Sequence, residues 1–149
     1  MAKKTKKTKS MVPILIGIFV IALLLNFVWE YVHYVLYVCT IDRLWCAEYT
    51  AFVDALLTLG IYVVVAFLVH DRAWIFSLNK KNIVILFMVS AIVAIVVEWQ
   101  GLHLEKWTYA QTMPIIPLLN IGLSPFLQMI LLPLATLLIV RFLIEQYTL

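Results

Sequence analysis

The chain has 149 residues, 65% of them hydrophobic and only 13% charged, where an ordinary soluble domain carries about a quarter charged. That much apolar surface cannot be hidden in a water-soluble fold of this length, so a soluble enzyme is excluded and lipid is the solvent for most of the chain. The formal net charge of +3 gathers at the start of the chain, directly before an apolar run, which argues for contact with anionic membrane lipid and against a nucleic-acid partner.

Residues 1–10 are a basic tail holding Lys3, Lys4, Lys6, Lys7 and Lys9. Four apolar stretches follow, at about 11–38, 47–69, 83–101 and 121–143. Each reaches the roughly 20 residues that cross a bilayer. The expected fold is all-α, a polytopic four-transmembrane-helix bundle forming a single membrane domain over residues 11–149. The first stretch is too long for a cleaved signal and no small-x-small site follows it, so a retained helix is expected.

Charge in the loops predicts orientation. Nine Lys and Arg residues lie in the tail, the 70–82 loop and the C-terminal end: the five lysines above with Arg72, Lys80, Lys81 and Arg141. The other two loops hold Arg43 and Lys106. By the positive-inside rule both termini and the middle loop face the cytoplasm, in a cell inner membrane. Tyr34, Tyr37, Trp45, Tyr49, Trp99, Trp107 and Tyr109 are then expected at the outer interface, and Trp74 and Tyr147 at the inner one.

Cys39 and Cys46 bracket the first outer loop, Cys-Thr-Ile-Asp-Arg-Leu-Trp-Cys. They sit at the facing ends of antiparallel helices on an oxidising side, which predicts a disulfide. The alternative is two unpaired small hydrophobes. No third Cys or nearby His completes a zinc set. The 102–120 loop holds Pro114 and Pro117, which keep it extended and out of a continuous helix, lying in the interface or folding back over the helix ends. Pro125 suits a first helical turn, whereas Pro133 falls mid-span and predicts a kink. No GxxxG spacing links the four glycines.

Each span carries one polar face. On the first, Asn26, Glu30, His33 and Tyr37 fall within roughly 60° of one another at 100° per residue. Thr50, Asp54 and Thr58 line a face of the second. Glu98 shares a face of the third with Ala91, Ala94 and Gly101, and Asn120, Ser124 and Gln128 recur at helical spacing in the fourth. All lie in the half of the membrane nearer the outer side, while the cytoplasmic half is nearly bare of polar side chains. The faces are therefore expected to converge on one cavity in the outer half. Asn26, Thr58, Ser124 and Gln128 can equally be read as hydrogen-bonding glue between helices. Three carboxylates and an imidazole exceed what packing needs, because a buried unpaired charge costs several kcal/mol. Glu30, His33, Asp54 and Glu98 are thus candidate catalytic residues. Asn26, Tyr37 and Gln128, with Trp107 and Tyr109 from the loop, are candidate ligand contacts.

Carboxyls in an apolar pocket can divide the work of acid and base. Glu30 or Glu98 would donate a proton to an alkene or leaving group, and Asp54 or His33 would accept one, which suits isomerisation, cyclisation or hydration of a lipid. Glu30 and His33 also make an E-x-x-H pair of the kind used in di-iron bundles. A second pair is missing, so no metal or cofactor is assigned, and a mononuclear site from the four candidates is the alternative.

Two segments carry a resemblance. Asn26-Phe27-Val28-Trp29-Glu30 with His33 and Tyr37, and Glu98-Trp99 through Trp107-Thr108-Tyr109 to Pro114, Pro117 and Gly122-Leu123-Ser124-Pro125, together resemble a group of small, uncharacterised four-helix bacterial membrane proteins. The second segment is similar to membrane proteins of carotenoid biosynthesis, of the hydratase and heterodimeric lycopene cyclase type. Leu118 and Leu119 stand where the cyclases carry paired acidic residues. The resemblance implies an isoprenoid or other lipid as ligand. The expected function is acid–base chemistry on, or binding of, such a lipid. The alternative is a non-catalytic accessory subunit with membrane protein partners.

Overall fold

The computed structural model describes residues 11–38 and 43–147. The lysine tail and Cys39, and with it the expected Cys39–Cys46 pairing, lie outside the described residues, as do the side chains of Arg43 and Tyr147. Four helices make the fold: α1 (Met11–His33), α2 (Arg43–Val69), α3 (Lys80–His103) and α4 (Leu123–Tyr147). Each supplies a span of 24 or 26 residues that is long and apolar enough to cross a membrane. The protein is an all-α, multi-pass membrane protein.

Its surface is apolar like its interior, unlike that of a soluble bundle. α1 turns Val12, Ile16, Val20, Leu24 and Val28 outward, each 46–62% exposed, while Asn26 is 2% exposed. Apolar side chains facing outward lose nothing in lipid, and polar ones gain partners inside. α1 packs on α2 and on α4, and α3 closes the ring against the same two. Ala47, Ala51 and Ala55 are buried along α2 at a spacing of four. Small residues at that spacing let backbones approach closely, which is the role GxxxG plays elsewhere. Sequence inspection confined to glycine misses this stripe.

The two ends of the bundle are built differently. At the base, between α2 and α3, Asp71 Oδ1 accepts from the backbone N–H of Ala73 at 2.8 Å, and Asn79 caps α3 by accepting from Asn82 N at 2.9 Å. Trp74 is not an interfacial anchor, as expected from its position, but is fully buried. It stacks on Tyr62 with ring centroids 5.8 Å apart, and the Tyr62 hydroxyl donates to the Arg72 carbonyl. The tight Asp71–Ala73 turn drives the indole back between the helices, where it closes the core.

The opposite end carries a cap. α1 stops at His33 rather than at residue 38. A 3-10 turn, Tyr34–Leu36, leads into β1 (Tyr37–Val38), which pairs antiparallel with β2 (Thr108–Tyr109), Tyr37 opposite Tyr109. β3 (Ile115–Ile116) pairs with β4 (Ile121–Gly122). These pairings take up backbone groups that a longer helix would have satisfied, so the cap, rather than local propensity, sets the end of α1. The proline-bearing loop is thus ordered over the helix ends. α2 starts at Arg43, four residues before its expected position. Pro125 lies in the first turn of α4, and α4 runs unbroken through Pro133.

Candidate functional site

The buried stripe of α1 runs Ile14, Ile18, Ala22, Asn26 and then His33, with Glu30 between the last two and only 13% exposed. Asn26 spends its amide N–H on the Ala22 carbonyl, at 2.9 Å, which leaves its Oδ1 as an acceptor. Gln128 of α4, 3% exposed, faces it. The Gln128 Nε2 lies 3.0 Å from Asn26 Oδ1, 2.8 Å from Glu30 Oε1 and 2.8 Å from Asp54 Oδ2. One amide group so ties α1, α2 and α4. An NH2 has two hydrogens, so it cannot serve all three acceptors at once. The Glu30 and Asp54 carboxyls, each 2.8 Å from the same nitrogen, therefore stand side by side.

His33, the last residue of α1, is the next member. Its Nε2 lies 3.0 Å from Glu30 Oε2 and its Nδ1 lies 2.8 Å from Ser124 Oγ. With Glu30 as acceptor, Nε2 carries the hydrogen and Nδ1 is left to accept from the serine hydroxyl. Trp29 packs edge-on against the imidazole at 6.3 Å, and Tyr37 does so at 5.3 Å.

Glu98, on α3, is 6% exposed and is held from the cap. The Tyr109 hydroxyl donates to Glu98 Oε2 and accepts from the backbone N–H of Gly122 at 2.9 Å. Trp107 fills the space that Gly101 leaves: a Cβ at residue 101 would lie 1.8 Å from Trp107 Cζ2. The Tyr37 and Tyr109 rings meet edge-on at 5.5 Å. Burial pushes the Tyr37 phenol up from its usual range, and Glu98, Glu30, Tyr109 and Asp54 push it the same way. Burial also raises the Tyr109 phenol, helped by its bond to Glu98. Tyr37 therefore stands among the acids and joins the Glu98–Tyr109 pair to the Glu30–His33 cluster.

All nine residues singled out from sequence thus lie at the capped end. Asn26, Glu30, His33, Asp54 and Gln128 form one hydrogen-bonded network, Glu98 and Tyr109 a second, and Tyr37 stands between them. Trp107 packs beside Glu98; its indole nitrogen is buried and has no hydrogen-bond partner among the described residues, as is the case for that of Trp29. Tyr37, Trp107 and Tyr109 turn inward and are not belt residues, whereas Trp45, Tyr49 and Trp99 are exposed. Tyr37 reaches the network from β1 and not from a helical stripe.

Other expectations are corrected. Thr50 bonds back to the Cys46 carbonyl of its own helix at 2.7 Å and takes no part in the network. Asn120 precedes α4 in a left-handed conformation with φ of 54°. Near mid-span, the Ser90 and Thr136 hydroxyls are buried and have no partner among the described residues. Among the described residues no three His, Cys, Asp or Glu side chains are placed to hold a metal ion, so the mononuclear alternative is not formed. A groove of about 380 Å³ runs along the α1–α2 flank, lined by Leu23, Leu24, Phe27, Glu48 and Phe52, and shares no residue with the network.

The participant that sequence reasoning undervalued is Ser124. It was one of four polar residues equally readable as helix glue, yet it sits at the same end of the bundle as His33. That shared depth, given the helix directions, is the signal that could have paired them. Comparison with protein-family models, with curated proteins and with solved structures gave no match. The site must therefore be read from its own chemistry.

Proposed function

We propose that the capped end is a site for acid–base chemistry on an apolar substrate dissolved in the membrane, of the isoprenoid or broader lipid class that the sequence resemblance suggests. One observation carries this reading: the Glu30 and Asp54 carboxyls, from different helices, meet at one buried amide, each 2.8 Å from Gln128 Nε2, while His33 holds the other oxygen of Glu30. Helix association does not call for such an arrangement. A hydrogen bond between membrane helices stabilises by only about 0.6 kcal/mol on average, and a Gln–Asn pair would supply it without burying acids that cost several kcal/mol when unpaired. Two carboxyls, an imidazole and a nearby Glu98 give the donor and acceptor that proton transfer to and from a lipid needs.

In this reading Asn26, Tyr37, Trp107 and Tyr109 contact the ligand, and the capped end faces the outer side of a cell inner membrane, with both termini cytoplasmic. A Cys39–Cys46 disulfide on that side would fasten the α1–α2 connection, and a thiol count on exported, non-reduced protein tests it.

The functional test is purification from native membrane followed by mass spectrometry of bound lipid and bound protein. A specific apolar lipid retained by the wild type, and altered or lost in Glu98→Gln, is the expected result. Stoichiometric protein partners with no retained lipid would overturn the reading in favour of an accessory subunit.

A further inference from the structure

Ser124, His33 and Glu30 have the connectivity of a nucleophile, its base and the acid that orients the base. We propose that Ser124 is a nucleophile and that the substrate carries an ester, as acyl lipids do; this rests on the reading of the capped end as a site for lipid chemistry. The serine hydroxyl lies 2.8 Å from His33 Nδ1, and the opposite ring nitrogen lies 3.0 Å from Glu30 Oε2. Both distances are within the reach that proton transfer requires. Such a constellation is recognised by geometry and roles, not by fold or chain order. Here the ring is turned, so that Nδ1 rather than Nε2 faces the serine.

Three further features fit a reacting centre better than a simple tie between helices. The second Glu30 oxygen is held by Gln128 at 2.8 Å, so the orienting acid is itself fixed, which a tie does not need. Ser124 is the second residue of α4; the Leu123 N–H is taken by the Pro114 carbonyl at 2.7 Å and Pro125 has none, so the Ser124 and Phe126 N–H groups are the first-turn donors left to favour negative charge. The Trp29 indole N–H is buried and has no acceptor among the described residues, and its ring abuts His33. It is a donor of the kind that a tetrahedral oxyanion uses.

Depth gives the substrate class. His33 ends α1 and Ser124 begins α4, so the pair lies at the boundary between hydrocarbon and headgroups, where the ester groups of acyl lipids reside. Ser124 is half-buried and His33 buried, which leaves the hydroxyl as the reachable member.

The chemistry balances without a cofactor. The Ser124 oxygen bonds to the acyl carbon as the bond from that carbon to the lipid alcohol breaks. The hydroxyl proton passes to His33 Nδ1 and from there to the departing alcohol oxygen. Water, or the hydroxyl of an acceptor lipid, then attacks the acyl-serine, returns its own proton through His33 and regenerates Ser124.

The test is labelling of the full chain in lipid nanodiscs by an alkyl fluorophosphonate, with the modified residue located by peptide mass spectrometry. A label on Ser124 of the wild type is expected, absent in Ser124→Ala and slowed by about 100-fold in His33→Gln. Melting curves of the variants establish that they fold. No label on folded wild type overturns the proposal, and this arm depends on no variant. Equal labelling of wild type and His33→Gln also overturns it, since the base would then be idle. An unlabelled serine in a protein that still retains its lipid would sink the nucleophile alone and leave the proposed acid–base site standing.

Discussion

The two ends of this bundle sit in the same solvent and on the same four helices, yet they bury their polar groups in opposite ways. At the base, Tyr62 and Trp74 send their hydroxyl and N–H to backbone carbonyls no more than twelve residues away. Those donors are neutral and close on local acceptors. At the capped end, Gln128 reaches Asn26, Glu30 and Asp54 across 102, 98 and 74 residues, and the partners are side chains, two of them acids. The difference teaches where to look for function. A polar group that closes on a nearby carbonyl completes a core. Groups from several helices that hold acids against one another at a cost in stability need another reason to be there.

Substitutions at the base should affect folding alone, and those at the cap should divide folding from chemistry. The largest loss is expected for Trp74→Ala, which removes a fully buried indole and should cost about 3–5 kcal/mol in detergent unfolding, with the lipid bound per folded molecule unchanged. A change in bound lipid would break the division between the two ends. Gln128→Leu comes next, at about 3 kcal/mol, because Asn26, Glu30 and Asp54 lose the donor they share. Here lipid retention should also fall in the protein that still folds.

A pH effect should follow from the two phenols of the cap. The Tyr37 and Tyr109 phenols are raised by burial, so the folded state holds their protons more tightly than the unfolded chain does. Their stabilisation is complete below the unfolded tyrosine value of about 10 and declines as pH rises above it. Alkaline melting curves should show this decline in the wild type and a shallower one in Tyr37→Phe. An equal slope in both would mean that the phenol is not shielded as described. The smallest effect, and the opposite sign, is expected for Thr136→Val. The Thr136 hydroxyl is buried and has no partner among the described residues, so replacing it with a methyl should be neutral or stabilise by up to about 1 kcal/mol.

Much of the frame was legible in residue types alone. Uninterrupted apolar runs of spanning length have few readings other than transmembrane helices. Asn26, Glu30 and His33 announce an inward face because acids and amides do not face lipid. The end of α1 was hidden, because Tyr34–Val38 is as apolar as the helix before it and stops being helical only where Thr108 and Tyr109 arrive to pair with it. Trp74 was misplaced because indoles favour interfaces, whereas Tyr62, twelve residues earlier, offers a stacking partner inside. The bond between Ser124 and His33 crosses 91 residues, and no local pattern records it.

The central claim is that the acids of the capped end work on a lipid and are not only a tie between helices. Lipid extracts from membranes of cells carrying the wild type, Asp54→Asn or Glu30→Gln test it most directly, with the amount of folded protein measured in parallel. We predict that the wild type alone shifts the abundance of a specific lipid pair, substrate down and product up, while both variants fold and accumulate to similar levels. The same lipid profile for the wild type and both folded variants would contradict the account.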